Sequence, residues 1–166
     1  MENALLSLSS QVGEILTERE LTIAAAESCT GGLLSHILTG VSGSSAYFIG
    51  GVVAYSNQIK ESILGVSNET LEKFGAVSAQ TAQEMAQGIS QKFNTTIGLS
   101  TTGIAGPTGG TPEKPVGLVW IGLHFNDKTF AHECHFEGDR ESVKMKTVKA
   151  LLSTLLDLLT QNSRCN

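Results

Sequence analysis

A chain of 166 residues, 40% hydrophobic and 16% charged, is large and apolar enough for one folded domain and too apolar for a disordered protein. The formal net charge of −5 argues against a general electrostatic grip on nucleic acid or on an anionic membrane, although it allows a local basic pocket for one small anion. The 3 cysteines have no disulfide or zinc spacing, and no signal peptide or membrane-spanning stretch is visible. We therefore expect a soluble, cytoplasmic protein that binds neither nucleic acid nor membranes.

The first half of the chain predicts alternating helices and strands. Apolar residues at helical spacing predict an amphipathic helix over residues 3–19, and the apolar run 21–26 predicts a short buried strand. A helix over residues 31–39 and a strand over residues 47–55 follow. Residues 57–64 fit either a turn or a short helix.

The second half adds a hairpin and a long terminal helix. We predict a short helix over residues 68–74, a helix from a Ser78 cap to Phe93, and a strand over residues 95–102. Two β-branched and aromatic runs flank Asn126-Asp127, which predicts a hairpin over residues 116–136. The last segment predicts a long helix that packs on the core, and we expect residues 161–166 to form a frayed tail. The predicted fold is α/β, a single three-layer α/β/α domain over residues 1–160 with a mixed β-sheet.

A candidate nucleophile follows the first strand, in the segment Ala-Glu-Ser-Cys-Thr-Gly-Gly of residues 26–32. Ser28 stands there before two glycines, where unpaired backbone N–H groups of a helix start can lie beside it. A serine hydroxyl needs a base, and no histidine stands in a partner motif, so an unprotonated lysine is the alternative. Lys60 is the best candidate, because it follows a strand end that shares an edge with Ser28 if the strands are parallel neighbours. Tyr55 could bridge the two side chains or protonate a leaving amine.

A glycine-rich loop and an arginine are the other candidate site features. Gly103 and Gly106 allow backbone N–H groups to approach an anion, and Thr102 can hydrogen bond a substrate, although a tight connecting loop explains the same residues. Arg140, at the start of the last helix, can clamp a phosphate or carboxylate, or it pairs with a neighbouring acid on the surface.

Two further constellations are weaker candidates. His132, Cys134 and His135 are close in sequence, but on a strand the first two share one face and the third points to the other, so we expect no metal site. Cys29 is a rival nucleophile to Ser28, yet no histidine is positioned to activate it, which favours a packing role.

Taken together, these motifs resemble the CinA C-terminal domain family along nearly the whole chain. The matching stretches are residues 26–32, Gly43-Ser-Ser-Ala46, Tyr55-Ser-Asn57 with Lys60, Gly75-Ala-Val-Ser78, Thr102-Gly-Ile-Ala-Gly-Pro107, Lys114-Pro-Val-Gly117 and Gly138-Asp-Arg140. The resemblance implies a stand-alone nicotinamide-nucleotide amidohydrolase that converts nicotinamide mononucleotide to nicotinate mononucleotide and ammonia in pyridine nucleotide salvage. It also implies that no metal or organic cofactor is needed and that the chain forms a homo-oligomer.

The resemblance also assigns roles to individual residues. It implies Ser28 as nucleophile, Lys60 as general base and Tyr55 as their hydrogen-bonding partner. It places Thr102, Gly103, Ala105, Gly106 and Arg140 at the substrate. On physical grounds we add Thr30 and Gly31, whose N–H groups at the helix start could stabilise the oxyanion. Two alternatives stay open: a nucleotide-binding or regulatory module without catalysis, suggested by the competence- and damage-linked family name, and an amidase for another carboxamide.

Overall fold

A mixed five-stranded sheet forms the centre of the computed structural model, which describes residues 1–161. The strands are β1 (Ile23–Glu27), β2 (Phe48–Val53), β3 (Ile97–Gly103), β4 (Leu118–Phe125) and β5 (Lys128–His135). They lie in the order β2-β1-β3-β4-β5. Strands β2, β1 and β3 are parallel, whereas β4 runs antiparallel to β3 and β5 antiparallel to β4. The predicted mixed α/β architecture is therefore confirmed.

In residues 1–161, six α-helices cover the two faces of the sheet. They are α1 (Glu2–Glu18), α2 (Leu33–Thr39), α3 (Asn57–Leu64), α4 (Asn68–Phe74), α5 (Ala79–Phe93) and α6 (Arg140–Gln161). Alternation along β1 divides the core, because Ile23 and Ala25 pack with α1, α2 and α6 while Ala24 and Ala26 pack with α3 to α5. The result is three layers, helices on sheet on helices. Among residues 1–161, no helix is long and apolar enough to cross a lipid bilayer.

Two glycines allow the layer of α3 and α5 to pack tightly. A Cβ atom on Gly98 of β3 would lie 1.9 Å from the carbonyl oxygen of Ala86 in α5. A Cβ atom on Gly88 of α5 would lie 1.8 Å from the carbonyl oxygen of Leu64 in α3. Since real Cβ atoms do not approach so closely, both positions require glycine, and their packing holds α3 beside α5.

Most predicted elements occur within a few residues of their expected limits. The hairpin turn is at Asn126 and Asp127, both with positive φ (53° and 58°), as a two-residue hairpin turn requires. Residues 57–64 form helix α3, the second of the two structures that the sequence allowed. The helix predicted from residue 31 begins instead at Leu33, because Gly31 and Gly32 adopt positive φ (60° and 99°). Of the predicted tail, Gln161 belongs to α6, and residues 162–166 lie outside the described residues.

Candidate active site

The carboxyl ends of three parallel strands bring the candidate residues to one edge of the sheet. Ser28 follows β1, Tyr55 lies two residues beyond β2, and Thr102 and Gly103 end β3. Since β1 pairs with both β2 and β3, these ends are neighbours, as the prediction for Lys60 required. A cavity of about 250 Å³ opens there. It is lined by Ser28, Cys29, Tyr55, Asn57, Lys60, Ala76, Val77, Thr102, Gly103, Ala105 and Arg140.

Ser28 and Lys60 contact each other directly. Lys60 Nζ lies 3.2 Å from Ser28 Oγ and donates a second hydrogen bond to the carbonyl oxygen of Ala54 at 2.9 Å. Lys60 belongs to α3, whose first turn is capped by Ser56, and only 1% of its surface is exposed. The first turn of α3 therefore places the Lys60 amine in contact with Ser28.

Burial changes the acid–base behaviour of Lys60. Removal from water disfavours the ammonium form, and this lowers the pKa of Lys60 below its ordinary 10.5, with a smaller opposing effect from Cys29. No carboxylate in residues 1–161 forms an ion pair with this amine. When Lys60 is neutral, its lone pair can accept the hydroxyl proton of Ser28 across the same 3.2 Å contact.

Tyr55 has a different partner from the predicted one. Its phenol oxygen accepts a hydrogen bond from Arg140 Nη2 at 2.7 Å, and 62% of the residue is exposed. The phenol does not bridge Ser28 and Lys60, because the buried amine already reaches Ser28 directly and Arg140 holds the phenol at the rim. Arg140 therefore joins Tyr55 to the site, a contact between residues 85 positions apart that spacing could not reveal.

Arg140 is held by neutral groups only. Besides Tyr55, its Nη1 donates to the carbonyl oxygen of Gly106 at 2.8 Å. The predicted alternative, pairing with a neighbouring acid, does not occur: Asp139 accepts from the backbone N–H of Ser142, and Glu141 pairs with Lys144. Within the described part of the chain the guanidinium has no carboxylate partner, so its charge is available to an anionic ligand at the cavity rim.

The glycine-rich loop contributes its backbone to the cavity. Gly103 and Ala105 line it, whereas Gly106 acts through the carbonyl that receives Arg140. Thr102 also lines the cavity, but its hydroxyl donates to the carbonyl oxygen of Ala76 at 2.7 Å. This hydrogen bond links the segment before α5 to the end of β3. A ligand in the cavity would therefore contact the other atoms of Thr102.

Thr30 and Gly31, the two predicted oxyanion donors, have different surroundings. Thr30 is fully buried, and its hydroxyl donates to Glu27 Oε2 at 2.6 Å instead of facing the cavity. The N–H group of Gly31 donates to the carbonyl oxygen of Ser28 at 3.2 Å and closes a turn. Across residues 1–161, the backbone N–H groups of Cys29 and Thr30 donate to no backbone carbonyl oxygen, although that of Cys29 contacts its own thiol sulfur. They are the donors beside Ser28 that remain for an oxyanion.

Glu27 and Asn57 are site residues that the sequence reasoning missed. Asn57 lines the cavity as the first residue of α3. Glu27, the last residue of β1, is completely buried and accepts hydrogen bonds from the turn that follows Ser28. An acid that ends an apolar run just before a helix start is the signal that could have identified it, because helix N-termini attract carboxylates.

The rival chemistries receive no support from the geometry. Burial raises the pKa of the Cys29 thiol to about 12, so this cysteine is not a thiolate near neutral pH. His135 contacts Glu133, and the ring of His132 packs edge-on against Phe130. No group of three or more His, Cys, Asp or Glu residues in the described chain is arranged to hold a metal ion.

A larger groove elsewhere lacks reactive groups. It measures about 670 Å³ and lies between the second half of α1 and residues 41–47. Its walls contain two glutamates and several small residues but no lysine, histidine or cysteine. The smaller cavity is the candidate active site because a base and a nucleophile meet there.

Comparisons with known proteins agree with this architecture. The family model of the CinA C-terminal domain matches residues 5–159. A putative competence-damage inducible protein of Thermoanaerobacter pseudethanolicus is 55% identical over 135 residues, which are 81% of this chain and 33% of that protein. A protein of the same description from Clostridium acetobutylicum is 53% identical over 146 residues, 88% of this chain and 36% of that protein. The chain therefore spans about a third of the length of these curated relatives.

Solved structures show the same fold. The competence/damage inducible protein CihA of Agrobacterium tumefaciens superposes with a TM-score of 0.90 at 40% identity, over 93% of this chain and 94% of that one. The competence damage-inducible protein A of Klebsiella pneumoniae gives a TM-score of 0.91 at 35% identity, over 94% and 97% of the two chains. The chain belongs to the CinA C-terminal domain family.

Proposed function

We propose that this chain is an amidohydrolase that converts nicotinamide mononucleotide to nicotinate mononucleotide and ammonia through an acyl-enzyme on Ser28. The observation that carries the proposal is the 3.2 Å contact between Ser28 Oγ and Lys60 Nζ, an amine that is 1% exposed. A buried lysine with a lowered pKa beside a serine is a nucleophile with its base. The substrate itself comes from the family resemblance.

The proposed reaction begins with transfer of a proton. Neutral Lys60 takes the hydroxyl proton of Ser28 as the serine oxygen attacks the carboxamide carbon, and the carbonyl electrons move to oxygen. The N–H groups of Cys29 and Thr30 then stabilise the oxyanion, an effect worth about 10²–10³ in rate per donor in well-studied hydrolases. Expulsion of ammonia requires a proton, which the Lys60 ammonium returns to the leaving nitrogen, with Tyr55 as the alternative donor.

Water completes the proposed cycle. It attacks the acyl-serine while Lys60, neutral again, accepts one water proton. The same proton then passes to Ser28 Oγ as the ester bond breaks, which releases the nicotinate and restores the starting state. The positive pyridinium ring of the substrate favours the neutral amine during both attacks.

The dimensions and charge of the cavity support a nucleotide bound with its base innermost. A volume of about 250 Å³ lies below the roughly 300–1,000 Å³ of sites that enclose a drug-sized ligand. The nicotinamide ring therefore occupies the cavity beside Gly103 and Ala105, and the ribose phosphate extends to the rim. Arg140, without a carboxylate partner in the described chain, binds the phosphate there.

We also propose that the protein is cytoplasmic and acts in pyridine nucleotide salvage. It needs no metal or organic cofactor for this reaction. A homo-oligomer fits the exposed apolar side chains of the protein, among them Ile49 and Val53 on the edge strand β2.

Replacing the nucleophile tests the proposal. Ser28→Ala should abolish ammonia release, as the loss of the nucleophile costs about 10⁶-fold in kcat in a well-studied serine hydrolase. Calorimetry should show that the variant still binds nicotinamide mononucleotide, because the rim and the base pocket are unchanged. Wild-type activity in this variant would end the acyl-enzyme proposal.

Three substrates separate the competing functions. We expect ammonia from nicotinamide mononucleotide and much less from free nicotinamide or glutamine, which lack the phosphate for Arg140. Preferred turnover of either of the other two would indicate a different amidase. Nucleotide binding without ammonia release at any pH would indicate the non-catalytic module.

A further inference from the structure

Glu27 is a buried carboxylate next to the candidate nucleophile, and the mechanism above does not use it. It is the last residue of β1, directly precedes Ser28 and has 0% of its surface exposed. A buried charge needs matching hydrogen bonds, because the interior cannot solvate it as water does. Its partners therefore indicate what it stabilises.

Five hydrogen bonds reach this carboxylate, all from residues 30–35. Oε2 accepts from the Thr30 hydroxyl at 2.6 Å and from the backbone N–H groups of Gly32 and Leu34, each at 3.0 Å. Oε1 accepts from the N–H and the hydroxyl of Ser35 at 2.8 Å and 2.7 Å. An ionised carboxylate has about four lone-pair positions and no donor, so these partners saturate it.

Only one of the two oxygens reaches the turn. Within residues 1–161, Oε1 accepts hydrogen bonds from Ser35 of α2 alone. Oε2 accepts from Leu34 of α2 and also from Thr30 and Gly32, which belong to the turn that carries Ser28. The Thr30 hydroxyl also lies 2.7 Å from Thr101 Oγ1, and the N–H of Ser28 donates to the carbonyl oxygen of Thr101 at 2.9 Å. The turn is thus fixed to β3 and to Glu27 together.

We propose that Glu27 is a positioning residue for the reaction of Ser28, which rests on the proposed acyl-enzyme function. Its Oε2 anchors the turn so that Ser28 Oγ stays within reach of Lys60. Because the carboxylate occupies the N–H groups of Gly32, Leu34 and Ser35, those donors are closed to substrate. The oxyanion is left with the N–H groups of Cys29 and Thr30 beside the nucleophile, which donate to no backbone carbonyl in residues 1–161.

The Glu27→Gln variant tests the proposal at constant size. One carboxylate oxygen becomes an NH₂ group that faces N–H and hydroxyl donors, so the turn must shift. We expect kcat to fall about 10²-fold, the cost of a misplacement near 1 Å, while KM for nicotinamide mononucleotide changes little. Labelling of Ser28 by a fluorophosphonate probe, which needs no natural substrate, should slow by a similar factor.

Ser35→Ala is the matched control, because it removes one hydrogen bond from Oε1 and leaves Oε2 intact. We expect it to lose some thermal stability and to keep wild-type kcat and labelling rate. Thr30→Val removes the 2.6 Å hydrogen bond to Oε2 and should slow labelling, which also decides the case if Glu27→Gln does not fold. Wild-type labelling in a folded Glu27→Gln or in Thr30→Val would overturn the positioning role, as would equal loss in Ser35→Ala.

Ammonia release tests the substrate, whereas labelling of Ser28 tests the role of Glu27 without it. Rapid labelling of wild-type Ser28 without ammonia release would reject the substrate, and the ratio of labelling rates would still measure the effect of Glu27. No labelling of wild-type Ser28 would overturn the activated nucleophile and the role of Glu27 together.

Discussion

A buried lysine that contacts a serine is the central residue-scale feature of this protein. Lys60 is 1% exposed, and its amine is held by a carbonyl oxygen and a hydroxyl without an ion-pair partner in the described chain. Keeping an ammonium ion in such a place destabilises the folded protein relative to the unfolded chain, where water solvates it. The same burial that lowers the pKa of Lys60, and so suits it to the proposed role of base, thus lowers stability.

The Lys60→Met variant tests this link between burial and chemistry. We expect no ammonia release, because the base is gone. The lowered folded-state pKa also means that the unfolded chain binds the proton more tightly. The unfolding free energy of the wild type should therefore rise with pH between that lowered pKa and about 10.5, relative to the variant. Urea unfolding at a series of pH values measures the difference, and parallel curves for the two proteins would contradict the account.

Sequence reasoning identified the residues of the site better than their contacts. Ser28 and Lys60 could be predicted from motif position, since neighbouring parallel strands bring their carboxyl ends together. The bond between Tyr55 and Arg140 joins residues that meet only through the tertiary fold. The turn bond from the N–H of Gly31 to Ser28 was missed for a related reason, because sequence does not show which N–H groups a tight turn uses.

Among the secondary-structure elements, helix α3 brings Lys60, the proposed base, into contact with Ser28. It begins two residues after Tyr55, and Ser56 caps it by accepting the N–H of Ile59 at 3.3 Å. Lys60 is the fourth residue of the helix, so the position of its amine depends on this first turn. Helix α4 has a similar cap, in which Ser67 accepts the N–H of Thr70 at 3.0 Å, but it carries no residue that lines the candidate site.

These two caps provide a matched pair of variants. Ser56→Ala and Ser67→Ala should each lower the unfolding free energy by about 1 kcal/mol, the usual effect of losing a serine cap. Only Ser56→Ala should also lower kcat, by roughly tenfold, because its helix positions Lys60. Chemical unfolding and steady-state kinetics on both variants test this. Equal kinetic effects, or none in Ser56→Ala, would mean that the cap does not position the base.

The ends of helices and strands could be predicted only where the local sequence determines the backbone conformation. The hairpin at Asn126-Asp127 was predictable because its turn needs residues that tolerate positive φ. The start of α2 was misplaced by two residues because Gly31 and Gly32 permit either helical or left-handed backbone. In the observed left-handed conformation, the N–H groups of Gly32 and Leu34 donate to the Glu27 carboxylate. The prediction of the helix start did not consider this side chain.

Over the whole molecule, the chain is acidic, but the rim of the cavity carries the positive charge of Arg140. The net charge is −5, yet Arg140 stands at the site without a carboxylate partner in residues 1–161. The net charge of a chain therefore does not give the charge at its cavity, where the proposed substrate would meet Arg140. The three-layer architecture was predictable from alternating elements. The close approach of α3 to α5 was not, because it depends on contacts such as the one at Gly88.

The role of Lys60 as the base is tested by ammonia release from nicotinamide mononucleotide, measured for the wild type and Lys60→Ala side by side with a chelator present. We expect metal-independent release by the wild type and none by the variant. Equal release by both proteins would show that Lys60 is not the base, and no release by either would contradict the amidohydrolase proposal.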